Sequence, residues 1–313
     1  MSGAKKIAAA AAAAAALTLG GAWYGYQMAF AGDRRRQSPI RTVPPGRAFD
    51  PYREQMLTNI DYLLAQPYET VRVRSYDGLE LAGKYYAGDS GAPLIIFFHG
   101  YRSTAERDGS GGFRLCREKG WHILLADQRA HGKSEGRTIA FGIRERYDCR
   151  TWAEAMAKRL GPETPIFLWG ISMGAATVLM SADLPMPKSV RGIVADCGYD
   201  SPGGILHANI RRHRWPDFPL YSFAALGARL FGGFRLGECS ALACVARARL
   251  PILLIHGEAD RMVPCSMAYA LRDACASPVT LLTVPGADHG ISWYVDMEGY
   301  QKALLGFMET CME

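Results

Sequence analysis

Residues 165–182 read PIFLWGISMGAATVLMSA. The apolar run up to Trp169 is short, unbroken and followed by glycine, as in a strand buried on both faces of a parallel sheet. From Met173 onward the residues are helix formers. Between the two halves stands Ser172, two residues from Gly170 on one side and from Gly174 on the other. Strand, sharp turn and helix in immediate succession thrust a serine hydroxyl out at the end of a sheet. Such a turn holds the serine in an unfavourable backbone conformation and needs neighbours without side chains. The helix that begins there points its first N–H groups at the same place and favours developing negative charge.

The same Gly-x-Ser-x-Gly spacing recurs as GKSEG at 132–136, around Ser134. That serine lies in the polar stretch DQRAHGKSEGR, seven residues beyond the strand ending at Asp127, with no strand directly before it and no clear helix after. Context therefore selects Ser172 as the nucleophile.

Five more short apolar runs flank the first: PLIIFFHG (93–100), WHILLADQ (121–128), VRGIVADC (190–197), PILLIHG (251–257) and VTLLTVPG (279–286). Helical spacing appears at 144–160, 173–182, 267–276 and 299–312. ETVRVRSYDGLELAGKYYAG (69–88) reads as two alternating strands joined at Asp77-Gly78. The pattern predicts an α/β fold: a mostly parallel central sheet, opened by an antiparallel hairpin, with helices on both faces. The insertion 198–248 is aromatic and partly helical, and is read either as a cap over the site or as an extra packing layer.

A serine hydroxyl needs a base to take its proton and a carboxylate to orient that base. In this architecture both come from loops after later strands, in the order Ser, Asp, His. EADRMVP after PILLIHG offers Asp260, and ADHGISW after VTLLTVPG offers His289. Asp196 is the alternative acid. Asp288 adjoins His289 and would struggle to fold back onto the same ring. The other six histidines stand at strand ends, in the Ser134 loop or in the insertion. The oxyanion donors are expected to be the backbone N–H groups of Met173 and of Tyr101, the latter from the loop after LIIFFHG. The side chains of Tyr101 and Trp293 are expected to bind substrate in an apolar pocket.

The chain of 313 residues is 49% hydrophobic and 21% charged with a net charge of +6, which fits a packed globular protein. Zinc-type Cys/His spacings, a P-loop and a Gly-x-Gly-x-x-Gly fingerprint are absent, so neither metal nor organic cofactor is expected. Residues 1–31 stand apart: Lys5 and Lys6 precede an uncharged run of 24 residues, Ile7 to Phe30. That is long enough to cross a ~30 Å hydrocarbon core. Ala29-Phe30-Ala31 has the small-x-small form of a signal-peptidase site, so the segment is an anchor, a cleaved signal or, as a third option, a soluble helix. Arg34, Arg35, Arg36, Arg41 and Arg47 flank it and are read as membrane-flanking, not nucleic-acid-binding. They argue for a cytoplasmic C-terminal side, as do eight cysteines without compact spacing; the short basic start argues for export. Residues 32–67 read as a linker and a leading helix, with the catalytic domain at 68–313. RRHRW (211–215), in the insertion, is either a solvated face or a contact for anionic lipid.

At these residues the chain resembles the α/β-hydrolases. FFHGYRS, DQRAHGKSEG, WGISMGA, LIHGEADRMVP and VPGADHG stand in that superfamily's order, over about 68–313. Within it the chain is similar to serine-aminopeptidase-like and lipase- or carboxylesterase-like serine hydrolases. The resemblance implies Ser172 as nucleophile, Asp260 as acid, His289 as base, and Met173 and Tyr101 as oxyanion donors. DQRAHGKSEG resembles a structural loop of the family, which usually has glycine where Ala130 stands. The implied activity is hydrolysis of a small-molecule carboxylic ester, with an amide or peptide as second choice. Two rivals are an acyltransferase using the same triad and a silent, membrane-tethered binding protein.

Overall fold

The computed structural model describes residues 3–313. Eight strands form one sheet in the order β1-β2-β4-β3-β5-β6-β7-β8. The strands are β1 (Glu69–Arg74), β2 (Glu80–Tyr86), β3 (Leu94–Phe98), β4 (His122–Ala126), β5 (Ile166–Ile171), β6 (Val190–Asp196), β7 (Ile252–Gly257) and β8 (Val279–Val284). β2 runs antiparallel to β1 and to β4, and all remaining pairs are parallel. The helices are α1 (Gly3–Ala29), α2 (Arg53–Leu64), α3 (Ala105–Glu118), α4 (Glu145–Leu160), α5 (Met173–Met180), α6 (Pro202–Arg212), α7 (Asp217–Gly227), α8 (Ala241–Val245), α9 (Ser266–Ala274), α10 (Ser292–Val295) and α11 (Met297–Met312).

Both faces of the sheet are covered, which is why its central strands are continuous apolar runs. In β3, Leu94, Ile96 and Phe98 join one buried layer with α4, α5 and α8, while Ile95 and Phe97 join the other with α3 and α11. The hairpin turns at Gly78, whose φ of +90° explains the glycine there.

α3 is missing from the sequence-based expectation, because Gly109, Gly111 and Gly112 lower its helix propensity. The glycines serve packing: a Cβ on Gly112 would lie 2.5 Å from the Trp169 ring, so α3 can lie flush on the sheet only without one. Thr104 starts the helix, its side chain accepting the Arg107 N–H.

The insertion is helical, carrying α6, α7, a π-helical turn at Ala228–Gly232 and α8. The segment before the domain is not a loose tether. Gln37 Nε2 donates to the Ala130 carbonyl at 3.1 Å, and the Ser38 N–H donates to the Arg102 carbonyl at 2.8 Å. The end of α1 is built into the domain. Phe30 is fully buried and makes edge contacts with Phe141 and Phe234, at centroid distances of 5.5 and 5.3 Å. Tyr26 Oη lies 2.8 Å from Thr138 Oγ1.

Candidate active site

Ser172 sits between β5 and α5 with φ 56° and ψ −115°, a positive-φ conformation that costs a non-glycine residue about 1–3 kcal/mol. Its glycine neighbours are required by contact. A Cβ on Gly174 would lie 1.9 Å from the Phe98 carbonyl oxygen, and one on Gly170 would lie 2.2 Å from the Gly174 backbone. The turn therefore closes against the end of β3, bringing the loop after that strand to the serine.

Two later loops deliver the partners. His289, from the loop after β8, has Nε2 2.9 Å from Ser172 Oγ. Its Nδ1–H donates to Asp260 Oδ2 at 2.7 Å, from the loop after β7. Asp260 Oδ1 accepts the N–H groups of Met262 and Val263, both at 2.8 Å, which fixes the carboxylate's rotation. Burial would raise the Asp260 pKa, but hydrogen bonds from His256 and His289 outweigh it and hold the carboxyl well below the usual range. Burial opposes the charged form of His289, yet the hydrogen bond and charge of Asp260 leave its pKa raised above 6.5. The imidazole is thus tuned to accept a proton, and its side chain keeps 15% exposure at the site. The sequence-predicted Ser172, Asp260 and His289 come together in a single hydrogen-bonded line.

Gly100 approaches closely: a Cβ there would lie 3.4 Å from Ser172 Cβ. The following residue, Tyr101, and Met173 at the head of α5 have backbone N–H groups with no acceptor among the described residues. The loop that carries Tyr101 is held by side chains that sequence reasoning missed. Asp108, in the first turn of α3, accepts the Gly100 N–H at 2.7 Å and the Ser103 hydroxyl at 2.6 Å. His131 Nε2 accepts the Arg102 N–H at 3.1 Å, and burial pushes that ring down to about 3, so it stays neutral and able to accept. No motif spacing flags either residue.

The rival residues lie elsewhere. Ser134 is fully buried, with its hydroxyl donating to the Asp127 carbonyl at 2.6 Å and accepting the Ala82 N–H at 2.9 Å. Its flanking Gly132 and Gly136 have φ of +51° and +109°, so they serve the loop's own turns. Ala130 adopts φ 64°, the conformation for which glycine is the easier residue. Asp196 is buried and accepts the Tyr300 hydroxyl at 3.0 Å, not His289. Asp288 accepts the Arg261 and His289 N–H groups at 3.0 and 2.8 Å, tying the two loops together.

One expectation about the pocket needs correction. Trp293 does not line it: the ring is buried against Gly111 of α3 and Tyr300 of α11, filling the core under the His289 loop. The Tyr101 hydroxyl donates to the Ala29 carbonyl at 2.8 Å, tying that side chain to the end of α1. Cys197 lies with Asp260 and His289, their ligand-type atoms all within 4.8 Å. Burial raises its thiol well above 9.0, and the other two groups already bond each other, so this set makes a poor cation site. A cleft of about 630 Å³ opens between α6 and α9, lined by Asp200, His207, Arg211, Arg261 and Met267.

Comparison with known proteins agrees with the fold. The serine aminopeptidase S33 family matches residues 90–198, which include Ser172 but end before Asp260. YqkD of Bacillus subtilis, an uncharacterised protein, is 27% identical over 234 residues, 74% of this chain and 76% of its own. The thiohydrolase aneE of Aspergillus aculeatus is 28% identical over 48% of this chain and 46% of its own length. Among solved structures, the Pyrococcus furiosus esterase Pf2001 superposes with a TM-score of 0.66 at 23% identity, covering 88% of this chain and 98% of that one.

Proposed function

We propose that this chain, which has the α/β-hydrolase fold, is a serine hydrolase cleaving carboxylic esters through an acyl-Ser172 intermediate. The observation that carries the reading is the line Ser172 Oγ–His289 Nε2–His289 Nδ1–Asp260 Oδ2, at 2.9 and 2.7 Å. His289 takes the Ser172 proton as Oγ attacks the acyl carbon, then returns it to the leaving alkoxide. Water enters by the reverse sequence, with His289 again the base. Negative charge on the carbonyl oxygen falls to the free N–H groups of Tyr101 and Met173, and each such donor is worth about 3 kcal/mol in the transition state. The esterase Pf2001 and the thiohydrolase aneE favour acyl transfer to water, while the S33 description favours an amide. We read α1 as a retained membrane anchor: it is long and apolar enough to cross a bilayer, and Phe30, inside the cleavage-like Ala29-Phe30-Ala31, is a core residue.

A fluorophosphonate probe tests the nucleophile: wild type should label and Ser172→Ala should not, and equal labelling would end the proposal. A panel of p-nitrophenyl esters beside aminoacyl p-nitroanilides then separates ester from amide preference.

A further inference from the structure

The anchoring helix and the insertion are packed as one unit. A Cβ on Gly25 would lie 2.9 Å from the backbone of Phe223 and Ala224, and one on Gly227 would lie 2.3 Å from the Ala22 carbonyl oxygen. Trp23 meets Phe231 edge-on at 5.0 Å. α1 and α7 therefore touch backbone to backbone, with glycine at each contact. Gly21 meets Phe223, Gly25 meets Phe223 and Ala224, and Ala22 and Tyr26 meet Gly227, so α7 crosses α1 over residues 21–26. α7 is thereby seated where α1 leaves the domain, beside the undocked part of that helix.

The uncharged, undocked part, residues 7–20, is exposed throughout and about 21 Å long at 1.5 Å per residue, and Lys5 and Lys6 beyond it can reach the far headgroups of a locally thinned bilayer. Docking starts where a bilayer would end. At the N-terminal end of α7, Phe218 is 79% exposed and Trp215 is 58% exposed. Trp215 sits in the turn that joins α6 to α7, and Phe218 is the second residue of α7. Arg212 and Arg214 on the same turn are exposed and make no ion pair among the described residues. The nearest acid, Asp217, is occupied by His207 at 2.9 Å and Arg211 at 3.4 Å.

Resting on the reading of α1 as a membrane anchor, we infer that the α6–α7 corner, Arg211 to Phe218, is a second membrane contact that enters the headgroup layer of an anionic phospholipid bilayer. Trp215 and Phe218 supply the apolar wedge, and Arg212 and Arg214 meet phosphates. The Trp215 indole, apolar with a polar N–H edge, favours that depth, and cations there are drawn to anionic lipid. The insertion then faces the membrane, and the substrate class that fits is an acyl ester delivered from the bilayer.

The test uses the full chain in vesicles of phosphatidylcholine, with and without phosphatidylglycerol. Brominated acyl chains should quench tryptophan emission, and Trp215→Phe should remove part of the quenched signal. Arg212→Gln with Arg214→Gln should abolish stimulation by phosphatidylglycerol and lower turnover of a long-chain ester in the bilayer at least about fivefold, with soluble p-nitrophenyl butyrate turnover held within about twofold. An unchanged quenched signal in Trp215→Phe, as expected if the corner met a second copy or another protein, overturns the inference. So does an unaltered response to anionic lipid. Quenching needs no turnover, so a chain that hydrolyses nothing yet loses quenched signal in Trp215→Phe would sink the hydrolase reading and leave this contact standing.

Discussion

Asp260→Asn should lower kcat on p-nitrophenyl butyrate by about 10⁴-fold, ~5.5 kcal/mol at 1.36 kcal/mol per decade. The surroundings of Asp260 fix the direction of the effect. Oδ1 is pinned by two N–H donors, Met262 and Val263, both at 2.8 Å. An asparagine must keep its carbonyl there, because turning the amide would oppose NH₂ to two N–H groups. Its NH₂ then replaces Oδ2, 2.7 Å from His289 Nδ1. A donor now faces that nitrogen, so the neutral imidazole carries its proton on Nε2 and presents N–H, not a lone pair, to Ser172 Oγ. The base is present, correctly placed and in the wrong tautomer. Because asparagine is isosteric, the fold should persist, and the thermal transition serves as the control. Steady-state kinetics and the rate of fluorophosphonate labelling should fall together. A variant that folds and keeps kcat within tenfold of wild type would refute the assignment of Asp260.

Ser134→Ala should label with fluorophosphonate like wild type but lose about 1–3 kcal/mol of stability, since it strands the buried Ala82 N–H, as denaturant unfolding will read. The pH profile of kcat/KM should rise through a pKa above 6.5, because only neutral His289 accepts the serine proton and Asp260 raises its pKa; a profile flat from pH 5 to 9 would contradict this. Asp196→Asn should keep activity. Burial pushes the Asp196 carboxyl up to about 6, so its contribution to stability is full below pH 3.8 and is lost as pH climbs through 6. At pH 8 the asparagine variant should therefore gain up to about 3 kcal/mol on wild type, seen as a higher melting temperature. Phe30→Ala removes a fully buried ring and should cost about 3–5 kcal/mol in thermal unfolding of the detergent-solubilised chain, whereas a freely hanging anchor would lose nothing.

The strands and the triad were legible because their signals are local. A strand buried on both faces must be apolar at every position, so β3, β4, β5 and β7 announce themselves as runs. Ser172 is marked by glycines that sterics demand, and its partners by chain order. Elements whose reasons lie far away in sequence stayed hidden. α3 carries glycines that weaken a helix locally because Trp169, some sixty residues later, leaves no room for a Cβ. Asp108 looks like an ordinary acidic residue in a helix's first turn until the Gly100 N–H is seen at 2.7 Å. Trp293 follows His289 so closely that proximity suggested a pocket. One turn of α10 carries its ring into the core instead.

The N-terminal segment shows why composition alone leaves two fates open. An apolar run ending in Ala-Phe-Ala is what an anchor and a cleaved leader both require. The difference lies in what residues 21–31 touch. Gly21 and Gly25 are spaced as small residues on one face of α1, and the fold uses that face to seat α7 at backbone distance. Phe30 closes the layer between Phe141 and Phe234, and the Ala29 carbonyl accepts the Tyr101 hydroxyl beside the proposed oxyanion donor. Cutting after Ala31 would leave two aromatic rings without their partner and free a hydroxyl on the loop that meets the substrate. A chain that discards its leader gains nothing from fitting that leader into its core and its site. The packing therefore favours retention.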